Sequence, residues 1–330
     1  MIVLDWCVNL ESDLSRPEGT AFWEILSRGR RLVSYDRRGV GASQRDVEDF
    51  SLEAQLGDLI ALVDHLELGT FDLWGAIDGA AIAVAYAARY PQRVSRLVLW
   101  QPYPFGEGLI GEKGLSAEES IASFAQFIQK RWSLAAETIA DIAFPSGPVE
   151  AQRWATRSLR ESMSAQVAKN QLEFECGVDV RRYLPLVQTP TLVLHRKGAQ
   201  DVPFSQGRLA AALIPDARFV ALEGEICHPY FDHQQYLHLV QEFLAPECPD
   251  GLTPRELEVL RLIAAGRSSR EIAAELVLSV RTVERHIANV YTKTDTHGRA
   301  QIASYAVERG LTQPGVSAYI IPANGTDHRS

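Results

Sequence analysis

The chain has 330 residues, of which 46% are hydrophobic, with 33 Lys and Arg against 42 Asp and Glu and a net charge of −9. This composition excludes a disordered, collagen-like or disulfide-framework protein, and the length suits about two domains. The charge is unevenly divided, because residues 250–313 carry +1 and residues 1–249 carry −10. The acidity of the larger part argues against its contacting nucleic acid, although solubility explains the same charge equally well.

The cysteines and the N-terminal residues indicate the cellular compartment in which the protein is found. The four cysteines form no CxxC pair, so we expect no metal site and free thiols in a reducing environment. The opening MIVLDWCVNL lacks the basic start of a signal peptide. No run of residues approaches the ~20 apolar residues of a membrane-spanning helix. We predict a cytoplasmic protein with no cofactor, no metal and no membrane contact.

Strand and helix patterns alternate through most of the chain, which predicts a parallel sheet with helices on both faces. A stretch of some 90 residues, 102–188, interrupts this order, is mostly helical, and is predicted to form a lid. Strands are predicted over 31–36, 70–75, 94–102, 189–201 and 217–224, and helices over 51–68, 80–91, 205–215 and 233–244.

Four ordered motifs accompany these elements: DRRGVGAS at 36–43, GAIDG at 75–79, Asp201 after a strand, and His228 in a later loop. GAIDG has the glycine spacing of the G-x-S-x-G nucleophile elbow, a tight strand-to-helix turn. Together the motifs resemble the alpha/beta-hydrolase family over about residues 1–245. The resemblance implies a mostly parallel sheet with a helical lid. It also places Ile77, Asp201 and His228 at the three triad positions.

Ile77 occupies the nucleophile position, and an aliphatic side chain cannot attack a carbonyl carbon. We therefore predict that the protein is not an enzyme and has no catalytic residues. Asp78, one residue past the apex, and Cys227, beside His228, are remote replacements for the nucleophile. Two interpretations of Asp201 and His228 stay open: they hydrogen-bond each other and hold two loops, or they hold a polar group of a ligand.

The N-terminus also departs from the family, since the leading strand hairpin and a His-Gly pair are missing. The strand at 31–36 is then expected at an open sheet edge, unless a partner or another segment covers it. Open edges invite pairing with other strands.

The proline and glycine residues of APECPDG end the preceding helical pattern and predict a domain boundary with a linker at 246–251. A second, helical domain is predicted over 252–313, followed by a flexible tail at 314–330. Thr253 with Glu256, and Ser268 with Glu271, have capping-box spacing, and Ser279 precedes a third helix. A short turn joins the second and third helices. This is the pattern of a helix-turn-helix, whose second helix enters the DNA major groove.

The segment LTPRELEVLRLIAAGRSSREIAAELVLSVRTVERHIANVYTK closely resembles the LuxR-type helix-turn-helix family, which implies DNA binding as a homodimer through a fourth helix near 299–307. Thr294-Asp295 replaces the usual Leu-Gly, which predicts a looser turn and weaker dimerisation. Arg285 suits guanine and Glu284 suits cytosine. His286 is as well explained by packing as by a phosphate contact. The predicted DNA-contacting residues are Ser268, Arg281, Thr282, Glu284, Arg285, His286, Asn289 and Lys293.

The combination predicts an α/β sensor domain followed by a small all-α DNA-binding domain, that is, a transcriptional regulator and pseudoenzyme that senses a small apolar ligand or mediates assembly. A hydrolase with a displaced nucleophile, and a pure dimerisation or docking module, are the alternatives. RNA polymerase is a further conceivable partner. Any one aromatic residue of the lid is more often ordinary core than the lining of a cavity, because large apolar residues are mostly buried. The predicted ligand-pocket residues are Trp6, Cys7, Ile77, Asp78, Trp100, Tyr103, Phe124, Phe127, Trp132, Phe144, Trp154 and His228.

Overall fold

The computed structural model describes residues 1–4, 9–109, 117–231, 233–245, 249–276, 278–309, 311 and 319–320. The chain divides into two compact units, one of residues 1–240 with 317–330 and one of residues 241–316. The division falls inside the helix Gln234–Phe243, a few residues before the domain boundary predicted at 245. Of the predicted linker, residues 246–248 lie outside the described part, and Pro249–Gly251 form a 3-10 turn.

The first unit is built on a parallel sheet in the order β6-β5-β4-β3-β1-β2-β7, in which all the described strands pair in parallel. Its central strands are buried because helices cover both faces, as parallel sheets require. The strands are β1 (Ile2–Leu4), β2 (Val33–Ser34), β3 (Phe71–Ala76), β4 (Val94–Trp100), β5 (Thr191–Arg196), β6 (Arg218–Leu222) and β7 (Tyr319–Ile320).

The edge at residues 31–36 is not open, and the alternative in which another segment covers it applies. Strand β7 pairs with the outer side of β2, with Val33 opposite Tyr319 and Ser34 opposite Ile320. An unpaired edge offers a row of backbone N–H and C=O groups to any extended segment, and here the chain itself supplies one. Apart from Tyr319–Ile320, the predicted tail at 314–330 lies outside the described residues.

Helices pack on both faces of this sheet. Helices α1 and α2 have no counterpart in the sequence predictions; the Asn9 side chain caps α1 and Pro17 begins α2. Phe22 of α2 packs against Tyr230 and Tyr236. The sheet helices are α1 (Leu10–Leu14), α2 (Pro17–Ser27), α3 (Leu52–His65), α4 (Asp78–Arg89), α9 (Phe204–Leu213) and α10 (Gln234–Phe243).

Four helices between β4 and β5 form the lid, as the sequence predicts for residues 102–188. Neighbouring lid helices pack against one another, and α8 also contacts the turn at Gly106–Gly108. The lid helices are α5 (Ala117–Lys130), α6 (Trp132–Ala143), α7 (Val149–Ser162) and α8 (Ala165–Gly177).

The second unit is a four-helix domain whose core is formed by the apolar stripes of its helices. Both predicted capping boxes are present, and the Ser279 hydroxyl caps the third helix. Asp295 adopts a left-handed conformation (φ 51°) and its N–H bonds to the Tyr291 carbonyl, so this turn is closed by an ordinary helix cap. The helices are α11 (Pro254–Ala264), α12 (Ser269–Glu275), α13 (Val280–Thr294) and α14 (Arg299–Glu308).

No helix in the described ranges is both long enough and apolar enough to span a lipid bilayer.

Candidate functional sites

The first candidate site is the turn between β3 and α4, with Ile77 at its apex. Ile77 has φ 52° and ψ −112°, and its N–H bonds to the Trp100 carbonyl at 2.9 Å. A positive φ is a genuine outlier for a β-branched residue and costs about 1–3 kcal/mol. The sharp elbow geometry is therefore retained although its apex carries no nucleophilic atom.

Two glycines permit this elbow because neighbouring backbone lies too close for a side chain. A Cβ on Gly79 would lie 2.3 Å from the Leu4 carbonyl oxygen at the end of β1. A Cβ on Gly75 would lie 2.8 Å from the Ala80 Cα. The spacing recognised in GAIDG thus corresponds to two close approaches, one between β1 and α4 and one within the turn.

Asp78 lies beside the apex and is fully buried, with 0% exposure. One of its carboxylate oxygens, Oδ2, accepts a bond from Arg37 Nη2 at 2.5 Å and another from the Gln171 amide of lid helix α8. Arg37 is itself only 6% exposed and also donates to Gln55 Oε1 at 3.0 Å. Asp78 is therefore the centre of a buried ion pair that joins the elbow, the loop after β2 and the lid.

Asp201 and His228 do not bond to each other. Asp201 accepts from the Gln101 amide at 3.1 Å and from the Cys227 thiol. Burial raises the pKa of Asp201, although these hydrogen bonds oppose the rise. The interpretation in which the two residues hold each other is therefore wrong, and Cys227 is engaged by Asp201 rather than directed at the elbow.

His228 is enclosed by aromatic rings. It is 3% exposed, and neither ring nitrogen has a hydrogen-bond partner among the described residues. Its ring lies 4.0 Å from that of Tyr230 and stacks at 6.2 Å on Phe144, with Trp154 edge-on at 5.7 Å. Burial, helped by nearby Arg16, lowers the pKa of His228 to about 3. The imidazole is neutral at pH 7 and lacks the carboxylate that would orient a general base.

The remaining predicted pocket residues separate into groups. Phe124 and Trp132 line a cavity of about 70 Å³ inside the lid, and Phe127 contacts Phe124 with ring centres 6.0 Å apart. Tyr103 is buried in the same core as Ile77. Trp100 does not join them: it donates to the Cys227 carbonyl and packs edge-on against Tyr236 of α10. The predicted pocket residues Trp6 and Cys7 lie outside the described residues.

The second candidate site is the outward face of α13. Arg281, Glu284 and Arg285 are exposed, and none has a hydrogen bond or ion pair within the described parts of the chain. Their spacing places them on one side of the helix, opposite the buried Val283, Ile287 and Val290. Unpaired guanidinium groups on such a face are free to donate to guanine edges or phosphates.

Asn289 and Lys293 are held within the protein. Asn289 Nδ2 donates to Glu256 Oε1 at 2.9 Å, and Lys293 Nζ lies 2.7 Å from Glu256 Oε2. The Glu256 side chain is 3% exposed and also accepts the Thr253 N–H. Burial would raise the pKa of Glu256, but these donors outweigh it and lower the pKa to about 2. Both residues therefore join α13 to α11, which the prediction of free phosphate contacts did not include.

The other predicted DNA contacts have local roles as well. Ser268 accepts the Glu271 N–H as the cap of α12, and Thr282 bonds to Ser279 at the start of α13. His286 is half-buried, and its Nδ1 has no partner among the described residues.

Two further residues of α13, Ala288 and Thr292, are exposed on the same face as Arg281 and Arg285 and are not among the predicted DNA contacts. Their signal was available, since they continue the three- and four-residue spacing of a helix face.

No group of His, Cys, Asp or Glu in the described part of the chain is arranged to hold a metal ion.

Comparison with known proteins agrees with this division. The chain belongs to the alpha/beta hydrolase fold family, which matches residues 14–226. Among solved structures, an enol-lactonase from Burkholderia xenovorans is 22% identical with a TM-score of 0.63, covering 74% of this chain and 90% of that one. A bromoperoxidase from Bacillus anthracis is 21% identical with a TM-score of 0.64, covering 74% and 91%. At such identity these two likenesses establish the fold alone.

Residues 250–306 match the family of bacterial regulatory proteins, luxR family, so the second unit is a LuxR-type DNA-binding domain. The transcriptional regulatory protein LiaR of Bacillus subtilis is 47% identical over 57 residues, which are 17% of this chain and 27% of that protein. The response regulator Rre1 of Synechocystis is 44% identical over 61 residues, 18% of this chain and 26% of that protein. The chain thus spans about a quarter of the length of these relatives.

Replacing Arg37 by Met is expected to lower the free energy of unfolding of the first unit by about 3–5 kcal/mol, because Asp78 is left as a buried, unpaired charge. All six tryptophans precede residue 241, so urea unfolding followed by tryptophan fluorescence reports this unit. The control is Arg160→Met, whose ion pair with Glu137 is exposed and should cost under about 1 kcal/mol. Equal effects of the two substitutions would contradict the role given to the buried pair.

Lys293→Ala is expected to weaken the packing of α11 against α13, because it removes the cation from the buried Glu256. The expected loss of about 1–3 kcal/mol is measured as faster amide exchange in these two helices of the intact chain. Arg281→Ala, on the exposed face of the same helix, should leave the exchange unchanged. Unchanged exchange in Lys293→Ala, together with uniformly weaker DNA binding, would instead indicate a phosphate contact.

The depressed pKa of Glu256 also predicts a dependence on pH. A carboxyl group whose pKa is lower in the folded state stabilises that state above its usual value of 4.5. The contribution disappears as the pH falls through the folded pKa of about 2. Glu256→Gln should therefore reduce the protection of α11 at pH 6 and should flatten its dependence on pH below 4.5.

Proposed function

We propose that the protein is a cytoplasmic transcriptional regulator that binds double-stranded DNA as a homodimer and uses its hydrolase-fold unit as a non-catalytic sensor of a small, largely apolar molecule. The observation that carries this proposal is the identity of the residue at the apex of the elbow. A strained, fully formed elbow holds Ile77, and a LuxR-type DNA-binding domain is present on the same chain.

Three features support a non-catalytic role. The Ile77 side chain has no atom that can attack a substrate. One carboxylate oxygen of Asp78 is paired with the positive charge of Arg37 and accepts a hydrogen bond from the Gln171 amide, and both contacts oppose its use as a nucleophile. His228 is neutral, enclosed by rings and without a carboxylate partner.

DNA reading is assigned to α13, whose free guanidinium groups are directed away from the domain core. Arg285 and Arg281 are the proposed base and phosphate contacts, with Glu284 as an acceptor for cytosine. Helix α14 is the proposed dimer face, and its Val307 is a large apolar residue that is 66% exposed. A single exposed apolar side chain is ordinary on a protein surface, so this assignment rests on the resemblance of the segment to the LuxR-type family.

A second candidate function, a docking module, is favoured by one observation. The rings of Phe144, Trp154 and Tyr230 surround His228, so a ligand has little room beside this residue. The cavity within the lid is the observation that favours sensing over docking.

Arg285→Ala is expected to weaken binding to the preferred DNA site by about 1–3 kcal/mol, and to relax the preference for one guanine, with little effect on random DNA. The site is first selected from a random duplex library with the intact protein. Arg208→Ala removes the same charge from the exposed surface of α9 and serves as the control. Equal losses on selected and random DNA would mean that Arg285 contacts only phosphates.

Ile77→Ser is expected to leave hydrolysis of p-nitrophenyl butyrate at the level of Ile77→Ala, because no oriented base is available to activate the new hydroxyl. The readout is kcat/KM together with labelling by a fluorophosphonate. Serine-dependent turnover that is lost on adding His228→Ala would show a latent catalytic site. Esterase activity of the unmodified chain that depends on His228 would overturn the non-catalytic proposal.

Sensing is tested by DNA affinity and native mass spectrometry. Lipophilic fractions from the host cell are expected to change the affinity for the selected DNA at least about fivefold, the usual lower range of allosteric coupling. The protein recovered from an active fraction should appear as a dimer with one constant added mass per chain. If every fraction leaves both the mass and the DNA affinity unchanged, the sensor proposal fails and the docking function stands.

A further inference from the structure

We infer that the outer edge of β2 is a strand-binding site whose occupant is the C-terminal segment of this same chain, and that the pairing restrains the DNA-binding domain by fixing both of its ends to the first unit. This inference rests on the proposed DNA-binding function and adds a means of regulating it.

The order of the two units along the chain is the first observation. The first unit contains residues 1–240 and 317–330, and the unit of residues 241–316 lies between them in the sequence. The DNA-binding domain is therefore connected to the first unit at both ends while β7 is paired. Without that pairing, its connection is the segment that follows α10.

The pairing of β7 is the second observation. Strand β7 runs parallel to β2, with Tyr319 opposite Val33 and Ile320 opposite Ser34. On its other side β2 pairs with β1, and the Val33 N–H donates to the Met1 carbonyl at 2.9 Å. Because successive N–H groups of a strand point to opposite sides, the Ser34 N–H is directed toward β7. An edge of this kind accepts an extended segment through main-chain hydrogen bonds.

The sequence of the occupant suits a short edge strand. Tyr319, Ile320 and Ile321 are residue types that are favoured in strands. Pro322 follows them, and a proline has no N–H to donate to a ladder. The segment therefore has the composition of a strand that pairs over a few residues and then stops.

The pairing is short enough to be reversible. Two pairs of described residues are in register, and each main-chain hydrogen bond makes a small net contribution to stability. The segment stays near the edge because it is covalently attached, which gives it a high effective concentration. Paired and released states are then close in free energy, and a partner that binds one of them in preference shifts the balance.

Release of β7 changes the freedom of α14, the proposed dimer helix. Helix α14 ends at Glu308 and β7 begins at Tyr319, so residues 309–318 connect them. A connection of this length limits how far α14 moves from the sheet edge while β7 is paired. The limit restricts the arrangements in which two copies bring their α14 helices together, so the paired state is expected to bind DNA less tightly.

The occupant of the edge is tested in the intact chain with Ser34→Cys/Ile320→Cys. Neighbouring strands lie about 4.7–4.9 Å apart, which is within the range that a disulfide spans. Oxidation is expected to join the two introduced thiols within one chain, as shown by peptide mass spectrometry of the monomer band. A covalent dimer joined through the same thiols would place the strand of one copy on another and would overturn the inference. Ser34→Cys alone is the control.

The release of the strand is tested with Tyr319→Pro/Ile320→Pro, which removes both N–H groups of the described strand. Amide exchange at Ser34 is expected to become faster, while exchange at Val33, which is bonded to Met1, stays the same. Binding to the selected DNA should tighten at least about fivefold. Oxidised Ser34→Cys/Ile320→Cys should bind DNA more weakly, and reduction should restore it. The control is Asn324→Pro/Thr326→Pro, further along the sequence.

Three outcomes overturn the inference. Unchanged exchange at Ser34 in Tyr319→Pro/Ile320→Pro would mean that the edge is not held by this strand. Faster exchange at Ser34 with unchanged DNA affinity would mean that the strand closes the edge without restraining the DNA-binding domain. An equal gain in DNA affinity in Asn324→Pro/Thr326→Pro would mean that the tail acts by some means other than this pairing.

The inference and the proposed function fail separately. If neither the unmodified chain nor Tyr319→Pro/Ile320→Pro selects a DNA sequence, the proposed DNA binding fails and the restraint fails with it, while exchange at Ser34 still decides the strand-binding site. If the unmodified chain selects DNA and the release of β7 leaves the affinity unchanged, only the restraint fails.

Discussion

The sharp turn at Ile77 is the constraint on which the rest of the first unit depends. It reverses the chain from β3 into α4 at a positive φ, and Gly79 permits α4 to approach the end of β1. Because α4 begins directly at this turn, its first residue, Asp78, is buried and must be neutralised. Arg37 supplies the opposite charge and Gln171 adds a hydrogen bond, so the geometry of one turn determines contacts with a loop and with the lid.

Both units use the same means to bury a carboxylate. In the first, Asp78 is neutralised by an arginine from a loop, and in the second, Glu256 is neutralised by Lys293 from the third helix. In each case the ion pair connects elements that are distant in sequence. Each pair also includes a residue that the sequence suggested for a functional role, Asp78 as a replacement nucleophile and Lys293 as a DNA contact. In both units, therefore, a charged residue next to a candidate functional motif helps to hold that motif in place.

Much of this architecture could be predicted because it depends on short-range patterns. The sequence predicts the alternation of strands and helices, the elbow and both capping boxes, because each of these depends on only a few neighbouring residues. Helices α1 and α2 were not predicted, because their partners lie far along the chain: Phe22 of α2 packs against Tyr230 and Tyr236, and Asp13 of α1 accepts a hydrogen bond from the Tyr230 hydroxyl. The hydrogen bond between Gln101 and Asp201 could likewise not be predicted from the sequence, since nothing in the local sequence of either residue connects them.

The candidate sites divide in the same way. The sequence alone determined that the elbow lacks a nucleophile and that α13 carries basic residues on one face, because residue identity and helical spacing suffice for both. Only the tertiary structure decided that His228 is unpaired, that Lys293 belongs to Glu256, and that Trp132 borders a cavity whereas Trp100 does not. Hydrogen-bond partners and empty space arise from the packing of elements distant along the chain, and no local pattern encodes which of them meet.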